Sequence, residues 1–200
     1  MRAFGVNKKR YLAAIPLLIL LITLVAYLKA VPLIVTRFQP APSTAVNPLM
    51  GWAPDAETEP GSSEAAHALV YARLTWKELE PEPGVYDFDA FEQRIHLKAW
   101  RALGKRLVLR FVLDAPGDSP HRDIPDWLAQ QMGGDAGVAY ENARGAGFSP
   151  NYSNLLLMSR HAQALNALGA RYDASGDLAF VELGSLGHDG DWTVETGLGD

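Results

Sequence analysis

An α/β fold with parallel strands, the N-terminal half of a (β/α)8 barrel behind a transmembrane helix, is what this sequence predicts, and three observations carry it. Short apolar runs rich in β-branched residues alternate with longer segments of helical periodicity, so each strand-to-strand connection is a helical crossover and each pairing parallel. Arg106 to Asp114, RLVLRFVLD, is apolar on both faces, as a parallel strand between helices must be. Tyr11 to Leu28 is uncharged and dominated by Leu, Ile, Ala and Val, about the shortest length that crosses a bilayer as a helix.

The chain opens with a basic tail, residues 1–10, in which Arg2, Lys8, Lys9 and Arg10 precede the apolar run. The positive-inside bias then makes residues 11–36 a single-pass signal-anchor, with the N-terminus cytoplasmic and the remainder extracytoplasmic. A cleaved signal peptide is the rival reading, since it shares the basic start and the apolar core. Against it, the core is long and Leu28-Lys29-Ala30 is a poor small-x-small cleavage site. Residues 37–46, with QPAPSTAV from Gln39, read as a linker rich in Pro and small residues.

The remaining domain, 47–200, begins with a short first strand at Asn47 to Trp52, followed by an acidic loop from Asp55 to Ser63. Leu69 to Thr75 is the second strand. It empties into a loop with Trp76, Glu78 and Glu80, and Gly84-Val85-Tyr86-Asp87-Phe88 leads into a helix. Asp89-Ala90-Phe91-Glu92 has the form of a capping box with Phe88 as staple; Phe91, Ile95, Ala99 and Ala102 fall at helical spacing, and Gly104 stops the helix. The third strand, Arg106 to Asp114, ends in Asp114-Ala115-Pro116-Gly117-Asp118. Gly133 to Gly147 lacks a phosphate-binding pattern and reads as a long surface loop. A second helix starts near Ser153, with Leu157, His161, Leu165 and Leu168 on one stripe, and Asp177 to Gly184 is the fourth strand. A full barrel takes roughly 250 residues, so four strands amount to its N-terminal half. With sheet edges left open, the soluble part alone is expected to aggregate.

Composition narrows the function. The net charge is -5, but no acid precedes Asp55, so the part beyond Arg37 has 12 basic against 23 acidic residues, a net of -11. An acidic domain disfavours nucleic acid as a partner. There is no cysteine, hence no disulfide and no thiolate metal site; no cofactor is implied.

Two stretches resemble a known family. Trp76-Lys77-Glu78-Leu79-Glu80-Pro81-Glu82-Pro83-Gly84-Val85-Tyr86-Asp87-Phe88 is similar to the loop after the second strand in (β/α)8-barrel glycoside hydrolases, especially β-galactosidase-like members of the large retaining clan. Pro125-Asp126-Trp127-Leu128 is similar to their Pro-x-Trp-Leu element. The resemblance implies a carbohydrate substrate or ligand and a pair of carboxylates, one acting as acid/base and one as nucleophile. In the family the acid/base follows an Asn at the end of strand four, and the nucleophile ends strand seven. Here Glu182 follows Val181, and the loop Gly184-Ser185-Leu186-Gly187-His188-Asp189-Gly190-Asp191-Trp192 looks closer to a branch with Gly-x-x-Gly-x-x-Gly-(Glu/Asp)-Trp after strand four. Asp191 then takes the carboxylate position, with Trp192 expected to exclude water and raise its pKa.

Weighed residue by residue, Asp191 and Glu182 are the catalytic candidates. Period-two alternation puts Arg73 and Glu182 on comparable faces of their strands, so Glu182 is read first as a partner for Arg73 or Arg110 in an interior ion-pair layer and second as catalytic. Trp52, Trp76, Glu78, Glu80, Asp114, Trp127, His188 and Trp192 are the substrate-binding candidates, Trp52 being alternatively a plug at the barrel end. His161 is read as a helix-face or partly buried histidine. Asp189 and Asp191 as calcium ligands lack the rest of an EF-hand loop, so no metal is assigned. The two functions left are a membrane-tethered hydrolase of extracellular or envelope polysaccharide and a non-catalytic carbohydrate-binding or structural barrel.

Overall fold

The computed structural model of the chain describes residues 8–30, 49, 51–61 and 67–195. It divides into two units, residues 1–43 and 44–200. In the first, α1 runs Lys8–Ala30, 23 residues with Pro16 inside. Its side chains are described from Pro16 to Tyr27 and at Lys29, and leucines and isoleucines there are exposed. Among the described residues no helix is long and apolar enough to cross a membrane. The linker over residues 37–46 lies outside the described residues.

The second unit is a mixed α/β domain around a parallel sheet. Strands β1 (Leu69–Thr75), β2 (Arg106–Val112) and β5 (Leu178–Glu182) lie in the order β1-β2-β5, all parallel, and correspond to the expected second, third and fourth strands. Half of the expected first strand, Asn47, Pro48 and Met50, lies outside the described residues. Instead, Asp55, expected in a loop, bridges parallel to Tyr71, with Ala56 N–H donating to Tyr71 O at 2.7 Å and Tyr71 N–H to Pro54 O at 2.8 Å. Strand alternation then sorts the faces. Val70, Ala72 and Leu74 of β1 and Leu107, Leu109 and Phe111 of β2 enter the core under the helices, packed with Phe91, Trp100, Leu128, Leu157 and Leu168. Tyr71, Arg73, Arg110 and Glu182 take the opposite face.

The helix layer corrects several expectations. The helix after the Trp76 loop is two short pieces, α3 (Phe88–Arg94) and α4 (Leu97–Ala102), split where His96 turns left-handed at φ 52°. Asp87, two residues earlier than the expected Asp89, caps α3 by accepting from Ala90 N at 2.9 Å. The break rotates the buried stripe onto Leu97 and Trp100 and leaves Ala99 and Ala102 exposed. A short α2 (Trp76–Leu79) opens the loop itself, and the Pro-x-Trp-Leu element forms the first turn of α5 (Asp126–Met132), with Pro125 at its N-cap. Helix α6 (Leu155–Tyr172) is capped by Asn154, and its buried positions are Leu157, Ala164, Leu168 and Tyr172; Leu165 is exposed.

The glycine-rich stretch is not a loop. Strands β3 (Gly137–Asn142) and β4 (Gly145–Pro150) form an antiparallel hairpin. Gly147 opposes Tyr140 there, and a Cβ on it would sit 2.4 Å from the phenol oxygen, so glycine is what lets that ring lie across the hairpin. At the β5 edge of the parallel sheet Val181 is exposed, and Leu183, just past the strand, is 83% exposed.

Candidate functional site

The register brings three charges into one row. Arg73 of β1 pairs with Arg110 of β2, and Arg110 with Glu182 of β5. Two neighbouring arginines repel unless anions intervene, and here two do. Glu182 Oε2 accepts from Arg110 Nε at 2.8 Å, and Asp189 accepts from both arginines, through Oδ1 from Arg73 Nη1 at 3.1 Å and through its carbonyl from Arg110 Nη1 at 3.0 Å. Both ion pairs are about a third or more exposed, so each stabilises the fold weakly; their effect is to fix where the loop after β5 lies.

That loop is conformationally forced. Asp189 is left-handed at φ 52°, Trp192 at φ 69°, and Gly187 and Gly190 between and beside them are also positive. Asp189 N–H donates to Asp114 O at 2.8 Å, tying the loop to the tip of β2. His188 is carried under it and is fully buried. Its Nδ1 lies 2.8 Å from Asp114 Oδ2, while Tyr140 donates its phenol proton to Asp114 Oδ1 at 2.6 Å and rests its ring 4.4 Å from the imidazole. Burial raises the Asp114 carboxyl above the usual range, against the lowering effect of these two partners. Burial first, and then the bond to Asp114, push the Tyr140 phenol up. His188 Nε2 has no hydrogen-bond partner among the described residues, Glu195 Oε1 standing 3.7 Å away.

The carboxylate candidates are both held by arginine. Asp191 pairs with Arg144, and its carboxyl is lowered by the Thr193 amide first and by Arg144 after it. This corrects the expected rise: Trp192 is 69% exposed and shields nothing. Glu182 is the Arg110 partner described above. Among the described residues no group of three or more His, Asp or Glu could hold a metal ion.

The residues of the Trp76 loop turn inward. Trp76 is 0% exposed, too buried for a sugar platform; its Nε1 donates to Glu80 Oε2 at 2.7 Å, and Glu80 Oε1 accepts from Gly84 N at 2.8 Å. Glu78 closes a capping box with Thr75. Trp127 is half-buried, donates to Glu80 O at 3.0 Å and carries the Arg160 guanidinium 5.7 Å over its ring. Trp52 is exposed and meets His67 edge-on at 6.0 Å. The structure thus gathers Asp114, His188, Arg73, Arg110 and Glu182 and sets Trp52, Trp76, Glu78, Glu80 and Trp127 apart from them. His161, half-buried, stacks on Phe111 with centroids 5.9 Å apart and bonds Ser185 Oγ at 3.0 Å. Sequence reasoning missed Tyr140, Arg144 and Glu195; the alternation of Val138 and Tyr140 between glycine turns was the available signal for a hairpin carrying Tyr140.

No family model and no curated protein matches the chain. Among solved structures, the β-galactosidase from the psychrophilic Marinomonas ef1 aligns with a TM-score of 0.42 and 17% identity, over 58% of this chain and 17% of that one. This chain therefore spans under a fifth of the length of that enzyme, and similarity of that degree fixes neither fold nor activity.

Proposed function

We propose that this chain is a glycoside hydrolase-like protein whose α/β domain, the N-terminal half of a (β/α)8 barrel, engages extracellular or envelope polysaccharide at the C-terminal ends of its parallel strands. The observation that carries the reading is the loop after β5: it presents an exposed Trp192 and, three residues before it, an Asp189 whose carboxylate, paired with Arg73, is about a third exposed. An exposed indole suits the apolar face of a sugar ring, and convergent polar groups nearby suit its hydroxyls. The half-barrel is supported by the order β1-β2-β5 with Asp55 continuing it beside Tyr71. A single-pass tether through α1, with the N-terminus cytoplasmic, is supported by the basic residues at its start and by the absence of any acid before Asp55. Protease added to intact cells should digest the domain, and full protection would reverse that topology.

A general acid has to be protonated when it donates. Asp191 is held below the carboxylate range, and Glu182 is bound to Arg110. These two arginine pairs favour the second reading, a carbohydrate-binding domain that does no hydrolysis. The test uses full-length protein and a polysaccharide panel. Retention should fall at least about tenfold in Trp192→Ala, the scale of losing one aromatic anchor; unchanged retention, or none in the wild type, rejects carbohydrate engagement here. Turnover that drops about a hundredfold in Asp191→Asn would establish the hydrolase over the binding domain.

A further inference from the structure

Ser185 lies just past β5, at the carboxyl end of the parallel sheet, where α/β folds place their chemistry. Both it and His161 of α6 are partly exposed. The Ser185 hydroxyl has one proton and two acceptors in reach, His161 Nε2 at 3.0 Å and the Phe111 carbonyl at 3.3 Å. An O–H···O bond runs about 2.5–3.0 Å, so the carbonyl contact is the long one and the proton goes to the imidazole. That takes the tautomer with hydrogen on Nδ1, an atom bonded by nothing among the described residues. The ring is held by stacking: it lies parallel to Phe111, 5° between planes, and 5.7 Å from the Trp76 ring. Burial lowers its pKa, so at pH 7 it is neutral and able to take a proton. Two further observations turn this hydrogen bond into a site. The amides of Ser185 and Leu186 donate to nothing among the described residues, whereas the next, Gly187, donates to the Tyr152 oxygen at 3.0 Å. Free amides on a nucleophile and the residue after it are the donors that hold an oxyanion. Leu183, 83% exposed, and Leu186, 37% exposed, stand two residues before Ser185 and one after it, giving an apolar surface beside the hydroxyl.

We propose that Ser185 and His161 form a nucleophile–base pair that hydrolyses esters of short acyl groups. Ser185 Oγ bonds to the ester carbonyl carbon as its proton passes to His161 Nε2, and the amides of Ser185 and Leu186 receive the charge on the carbonyl oxygen. The C–O bond to the alcohol then breaks, and the leaving oxygen takes the proton from Nε2. Water attacks the acyl-serine, gives a proton to Nε2, and releases the carboxylic acid as the proton returns to Oγ. Two exposed leucines cover a group of a few carbons, hence the short chain. The activity goes beyond the carbohydrate reading and uses neither Trp192 nor Asp191.

Full-length protein treated with a fluorophosphonate, and separately with p-nitrophenyl acetate, tests the proposal. The fluorophosphonate should label Ser185, located by peptide mass spectrometry, and the acetate ester should be hydrolysed faster than in buffer. Ser185→Ala, a change too small to disturb the loop, should abolish both. His161→Gln should slow both about a hundredfold, the scale of losing a general base, in protein whose thermal melt shows it folded. Wild type that takes no label at Ser185 overturns the pair, and it does so without any variant. Ester turnover that survives Ser185→Ala, or labelling as fast in His161→Gln as in the wild type, overturns it too. Polysaccharide retention is read on the same protein: retention without labelling removes this activity and leaves the carbohydrate reading, and labelling without retention does the reverse.

Discussion

The loops after β1 and β5 leave the sheet at the same end, and both are dense in aromatic and charged residues, but their polar atoms are treated in opposite ways. After β1, the Trp76 indole, the Glu80 carboxylate, the Gly84 amide and the Thr75–Glu78 capping box answer one another within a few residues. Trp76 and Leu79 close over the core at 0% exposure. After β5, the backbone is held at positive φ at Asp189 and Trp192, His188 Nε2 is left without a partner among the described residues, and the Trp192 ring stands in solvent. Left-handed backbone at a residue with a Cβ costs about 1–2 kcal/mol, and it persists because Arg73, Arg110 and Asp114 hold Asp189 in place. Motif density therefore does not separate a brace from a site. What separates them is whether the polar groups are already satisfied.

The largest expected effect breaks the brace. Trp76→Ala in the full-length protein should lower stability by about 3–5 kcal/mol, read as a shift in denaturant midpoint; a loss under about 1 kcal/mol, far below that range, would show that the loop does not brace the core. Glu80→Ala comes next, at about 1–3 kcal/mol, because it strands the buried indole N–H of Trp76 along with the Gly84 amide. If Glu80 instead held a ligand, the same change would spare stability and abolish polysaccharide retention.

Asp189→Gly probes the other loop. Relief of a left-handed Cβ, about 1 kcal/mol, offsets the loss of a half-exposed ion pair with Arg73 worth about 0–1 kcal/mol. Denaturation should thus be nearly unchanged while polysaccharide retention falls, the mirror image of Trp76→Ala. A variant that loses stability and keeps retention would make the second loop a brace as well.

The smallest effect lies where the loops meet. His161 sits 5.7 Å from the Trp76 ring and bonds Ser185 of the second loop. Burial lowers its imidazole pKa. Below about pH 6.5, the ordinary histidine value, the unfolded chain takes up a proton that the folded one refuses, so stability is full above that pH and is lost as pH falls toward the folded value. His161→Gln should flatten stability against pH in that window; an unaltered slope would assign it to another group.

Local pattern was enough for the elements of the sheet. Apolar runs and period two identified β1, β2 and β5 within a residue or two, and they put Arg73, Arg110 and Glu182 where one face could collect them, because successive side chains of any strand point to opposite faces of the sheet. Chain pattern also singled out Asp114 and His188 as candidates, Asp114 two residues past the end of β2 and His188 in the loop after β5. It failed where a residue's partner is remote in sequence. Trp76 looked like a platform and is core, because Phe111 and His161 close on it from β2 and α6. Asp191 looked like a proton donor, and Arg144, which pairs with it, comes from the turn of a hairpin that the glycines of residues 133–147 had disguised as a loop. Which polar groups stay unsatisfied is a property of the packed chain: donors and acceptors are local, but whether a partner arrives within 3 Å or so is decided only when distant segments meet.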